Sequence, residues 1–66
     1  MRWHTMDEEP IMCGVILFSK QQNRIYDGEY LGDGLFKIES LVVDKSRFDL
    51  WYQRYEFLLD TGLFYK

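Results

Sequence analysis

Six bulky apolar side chains near the C-terminal end of the chain recur at the spacing of a single helix face. Phe48, Trp51, Tyr52, Tyr55, Leu58 and Leu59 fall at i, i+3, i+4, i+7, i+10 and i+11. Ser46 precedes the run with Asp49 three residues on, a capping-box pattern, and Gly62 follows its end. Start, stripe and stop together predict a helix over 47–60. A period of two runs through the same stretch, because Phe48, Leu50 and Tyr52 also alternate, so a strand through Trp51 stays open.

Upstream the pattern reads as β structure. Met1 to Pro10 is polar with Trp3 embedded, and Pro10 sets a break before the apolar run from Ile11 to Phe18. Val15-Ile16-Leu17-Phe18 is β-branched and aromatic and too short for an independent helix, which predicts a buried strand. Ser19 to Asn23 is a polar turn. Arg24 to Leu31 alternates, with Ile25 on one face and Arg24, Tyr26 and Tyr30 on the other. Asp33-Gly34 within Gly32-Asp33-Gly34 is a hairpin signal, and Leu35–Ile38 and Leu41–Val43 supply a third and a fourth strand. The expected fold is α+β: a small antiparallel meander of three to four strands with one C-terminal helix packed on the sheet.

With 66 residues the chain makes one small domain, close to the size at which metals, disulfides or oligomerisation are needed for stability. Twelve of its residues are Phe, Tyr or Trp, a load that makes a homodimer an expectation alongside the monomer.

The formal charge is −3, with eleven acids against eight scattered bases, which argues against direct nucleic-acid binding through a basic footprint. Cys13 is the only cysteine, which excludes an intrachain disulfide and suits a reducing compartment, the cytoplasm of a host cell. The run from Ile11 to Phe18 is too short to span a bilayer, and its acidic flank does not suit a signal peptide, so no membrane role is expected.

Chemistry-bearing residues are few. His4 and Cys13 suffice on paper for a nucleophile–base pair, yet no glycine-rich elbow or oxyanion signature accompanies them. Cys13 opens a predicted buried strand and reads as a packing residue, and His4 lies where termini fray. The stretch 27–34 matches a calcium loop only at Asp27 and Glu29, since Leu31 stands at its fifth position and Ile38 at its twelfth. The sequence therefore predicts no enzyme, no metal and no cofactor.

Two acidic groups remain, Asp7-Glu8-Glu9 and the set Asp27, Glu29 and Asp33 around Tyr30. Both suit a solvated surface that keeps an aromatic-rich protein in solution. Both also suit a recognition surface in which acids steer a basic partner and Tyr30 anchors it. Tyr26, Tyr30, Phe64 and Tyr65 are the aromatics expected to be exposed.

The punctuation of the chain resembles a family. Trp3-His4, Glu9-Pro10, Val15-Ile16-Leu17-Phe18, Tyr26-Asp27-Gly28-Glu29-Tyr30, Leu35-Phe36 and Trp51 are similar in layout to the small DUF551-like domains of unknown function found in phages and mobile elements. That family carries no established activity, so the resemblance transfers no functional residue. It implies a second tryptophan on a strand, from which Trp51 inside a helix would depart. It also motivates the functional expectation: a non-enzymatic, anti-CRISPR-like inhibitor that binds a host defence enzyme through an acidic, aromatic-bearing surface. The alternative is a homodimeric assembly module with no separate target.

Overall fold

The computed structural model describes residues 3–62, so Phe64 and Tyr65 lie outside the described residues. Its elements, in chain order, are β1 (His4–Thr5), β2 (Gly14–Ser19), β3 (Arg24–Gly32), β4 (Leu35–Ile38), β5 (Leu41–Asp44), a 3-10 turn (Lys45–Arg47), β6 (Leu50–Gln53) and α1 (Arg54–Thr61). The architecture is α+β with an antiparallel sheet and a C-terminal helix, but the sheet has six strands rather than three or four, in the order β1-β6-β2-β3-β4-β5. β2 to β5 form the expected meander. β6 returns to the other side of β2, and β1 adds beyond it.

The helix prediction is corrected over its first half. Residues 50–53 form a strand, and the helix begins at Arg54. β6 is paired on both edges, by β1 and β2, and covered on both faces: Trp51 faces the main core and Tyr52 packs against Trp3 and Phe57 on the opposite side, and both are buried. Burial on both faces makes consecutive residues apolar, which erases the alternation that marks a strand. Ser46 belongs to the 3-10 turn, whose cap is Asp44, and Asp49 accepts from the backbone N–H of Lys20 instead of capping a helix. Tyr55 and Leu59, expected on the buried stripe, are exposed on α1. Gly62 does end the helix, at φ 78°, with its N–H bonded to the carbonyl of Leu59.

The sheet is strongly curled. Phe36 on β4 meets Phe48, which leads into β6, with ring centroids 6.0 Å apart although two strands separate β4 from β6. Val15, Leu17, Phe36, Phe48 and Trp51 fill the concave side, with Met6, Tyr26, Tyr30, Ile38 and Val43 packed against them. Tyr26 and Tyr30 are thus half-buried core residues rather than the exposed anchors their polar neighbours suggest. The curl requires glycine at position 28. A Cβ there would fall 2.8 Å from both the Lys37 carbonyl oxygen and Ile38 Cγ2.

On the convex side Trp3, Tyr52 and Phe57 form a second aromatic group, with centroids 5.1 Å apart for Trp3–Tyr52 and 5.4 Å for Tyr52–Phe57. The Asp33-Gly34 hairpin forms as expected, both residues at positive φ, and a bulge between Tyr30 and Gly32 precedes it. No helix among the described residues is long and apolar enough to cross a membrane.

Candidate functional site

The segment that follows β1 is tied down by β6. The indole N–H of Trp51 is shared between the carbonyl oxygens of Thr5, at 2.9 Å, and Glu8, at 3.1 Å. His4 pairs with Trp51 across the ladder, and its imidazole stacks on the indole at 4.4 Å. His4 is therefore ordered in the sheet rather than at a frayed end, and its Nδ1 lies 2.8 Å from Glu8 Oε1.

Two residues on, the buried side chain of Gln53 satisfies the next stretch. Its Oε1 accepts from the N–H groups of Ile11 and Met12, at 2.7 and 3.0 Å. Its Nε2 donates to the carbonyls of Met12 and Gly14, at 3.2 and 3.1 Å. Committed to the loop, Gln53 gives α1 no side-chain cap. Cys13, in that loop, is exposed, which corrects its reading as a packing residue.

Held in this way, residues 6–10 form one wall of a cleft of about 220 Å³. The β3–β4 turn and the end of β5 form the other, and Tyr30 and Phe36 line it. Asp7, Glu8, Glu9, Asp33 and Asp44 are among the lining residues, with Lys45 beside them. Thr5 Oγ1 donates to the Asp7 carboxylate, and that bond, helped by the residue's own backbone N–H, lowers the Asp7 pKa. Asp44 accepts from the Ser46 N–H at 2.9 Å, and hydrogen bonds to the Ser46 backbone and side chain hold its carboxyl below the usual range. Tyr30 packs tilted against Phe36, with ring centroids 5.0 Å apart and planes at 47°, and its hydroxyl receives the Gly34 N–H at 3.4 Å.

Of the residues expected to form one surface, Asp7, Glu8, Glu9, Tyr30 and Asp33 come together here. Asp27 and Glu29 do not. They project from the opposite face of β3, beside Lys37, Glu39 and Arg54, and Asp27 is ion-paired to Arg54 at 2.7 Å. Alternation along β3 separates them from Tyr30: odd positions from Ile25 to Leu31 are exposed, while Tyr26, Gly28 and Tyr30 face the core. The sequence reading also missed Asp44 and Lys45. Their signal was Asp44-Lys45-Ser46, an acid two residues before a serine, which is a local capping pattern.

No group of three His, Cys, Asp or Glu side chains among the described residues is arranged to hold a metal ion. The cleft is acidic, shallow and floored by aromatic rings, an arrangement that attracts cationic groups and lays an apolar stem against Tyr30. Comparison of the chain with protein-family models, with curated proteins and with solved structures yields no match.

Proposed function

We propose that the chain is a non-enzymatic protein-binding module that receives a basic segment of a partner protein in the cleft between residues 6–10 and the β3–β4 turn. The observation that carries this reading is the concentration of Asp7, Glu8, Glu9, Asp33 and Asp44 on one cleft whose floor includes Tyr30 and Phe36. Acids on a rim raise the association rate of a cationic surface, and the aromatic floor gives the arriving Lys or Arg stem something to pack on. The partner class that suits such a rim is a protein whose own surface is basic because it handles nucleic acid. Inhibition of a host defence enzyme of that kind, in the manner of phage and mobile-element proteins, is the role this reading favours.

The test compares two charge-reversed variants with the native chain. Glu8→Lys combined with Glu9→Lys and Asp33→Lys alters the cleft, whereas Glu29→Lys alters the other face. Capture from a host lysate at low salt, followed by mass spectrometry, should return the same nucleic-acid-handling proteins with the native chain and Glu29→Lys, and lose them with the triple variant. Equal capture by the triple variant would remove the cleft from the reading.

A further inference from the structure

Lys45 reaches the acidic cleft from the end of β5, where the strand passes into the 3-10 turn. Its backbone N–H donates to the Gly34 carbonyl at 2.8 Å, just beyond the Leu35–Asp44 pair, which fixes the base of the residue against the β3–β4 turn. Its side chain then runs over Gly34. A Cβ on that glycine would fall 3.3, 3.5 and 3.6 Å from Cδ, Cγ and Cε of Lys45. Glycine, which the φ of 75° also favours there, leaves open the lane that the lysine stem takes.

Among the residues that line the cleft, Lys45 is the one cation, beside Asp7, Glu8, Glu9, Asp33 and Asp44. Its tip is not tied. The ion pairs of the described residues join His4 to Glu8 and Arg54 to Asp27, and neither involves Lys45. Its charge nevertheless acts on both walls. Hydrogen bonds with Thr5 and with Ser46 are the main causes that lower the Asp7 and Asp44 pKa, and the charge of Lys45 lowers both further.

We infer that Lys45 is an internal competitor for the cleft: its side chain takes the place that a partner's Lys or Arg fills, and binding requires it to swing aside. The inference rests on the function proposed above and adds its regulation. Tethered at the rim, the Lys45 ammonium competes at an effective concentration on the order of millimolar or higher. Because no carboxylate grips it, a segment that brings several cations displaces it, while a single cation meets an occupied site. The sign of the effect separates this role from an ordinary contact. Altering a residue that only lines a binding surface weakens binding, whereas removing a competitor strengthens it.

NMR titration with an acetylated, amidated pentalysine peptide tests it, in about 0.1 M salt, where charges are screened over about 10 Å. The peptide should move the amide resonances of residues 7–9, 33 and 34 in the native chain. Lys45→Gln and Lys45→Met should each bind it about fivefold more tightly, the size of one charge contact at an effective dielectric between that of a protein surface and water. Lys45→Met keeps a stem over Gly34 and loses only the ammonium, so it decides the matter if Lys45→Gln disturbs the turn. Lys37→Gln removes the same unit of charge on the opposite face, beside Asp27, Glu29 and Arg54, and should change affinity by less than about twofold. Equal gains from the Lys37 and Lys45 variants, or no gain from either Lys45 variant, would overturn the competitor and leave the cleft as a cation site. Absence of shifts at residues 7–9 and 33 up to about 5 mM peptide, in the native chain and the Lys45 variants alike, would overturn the proposed function and the competitor with it.

Discussion

Arg54 holds Asp27 from two nitrogens, Nε at 2.8 Å and Nη2 at 2.7 Å from the same carboxylate oxygen. Nη2 also donates to the Gly28 carbonyl at 2.8 Å, and the guanidinium lies over Gly14, where a Cβ would approach Nη1 to 2.9 Å. One side chain at the start of α1 thereby spans β2 and β3. Asp27 is a structural acid, while Glu29, two residues along the same face, has no such role among the contacts described.

Charge reversal separates the two. Asp27→Lys should destabilise the domain by about 1 kcal/mol, the range of a solvent-exposed pair reinforced by a backbone bond, and Glu29→Lys by less than about 0.5 kcal/mol. Urea denaturation followed by tryptophan fluorescence measures both. Equal stability of the two variants would show that Arg54 does not depend on Asp27.

Trp51 has two functions that two substitutions distinguish. Trp51→Ala removes a buried ring from the concave core and should cost about 3–5 kcal/mol, enough to unfold much of a domain this small. Trp51→Phe keeps most of the ring but loses the N–H shared by Thr5 and Glu8. It should fold, with faster amide exchange confined to residues 5–10 and weaker partner binding. A Trp51→Ala chain of native stability would contradict its place in the core.

Gln53→Leu preserves volume and strands the polar groups of the loop before β2. Ile11 and Met12 N–H lose their acceptor, and each unsatisfied group costs about 1–3 kcal/mol where water cannot replace the bond. The expected loss is about 2–4 kcal/mol, and amide exchange at Ile11 and Met12 should accelerate before any other site. Unchanged exchange there would mean that solvent already serves those groups.

The Asp44 carboxyl sets a pH dependence. Its folded pKa lies below the ordinary value of 3.8 because the Ser46 N–H and side chain bond the charged form. That contribution is present above the unfolded pKa and fades as pH falls through the lower folded value. Asp44→Ala should therefore be less stable than the native chain at neutral pH, with the difference shrinking below pH 3.8. Thermal melts across that range provide the measurement, and a difference constant down to strongly acid pH would refute the assignment.

How legible this molecule was depended on how many faces each strand buries. β3 presents one face to the core, so the alternation that sets Ile25 on the face opposite Tyr26 and Tyr30 could be read, though not which of the two faces turns inward, and so could the hairpin from Asp33-Gly34. β6 buries both, and Trp51-Tyr52 beside Tyr55 and Leu58 imitated a helix. The cleft was half visible. Its acids from residues 7–9 and Asp33 are exposed in any plausible fold, but what joins them is the curl of the sheet, which depends on Gly28 and leaves no periodic trace. Tyr26 and Tyr30 looked exposed because their neighbours are charged, and the period-two geometry that sends those neighbours outward is what sends the tyrosines in.

The bonds from Trp51 and Gln53 to the first strand and its loop join groups separated by 39 to 46 residues. During synthesis the stretch from His4 to Gly14 leaves the ribosome long before the residues that bind it, and it must wait without partners until β6 appears. Non-local closures of this kind come late and slow the search for the native state. A nascent chain thus has its acidic residues but not its cleft, which arrives in one step with the completion of the sheet rather than accumulating as the chain grows.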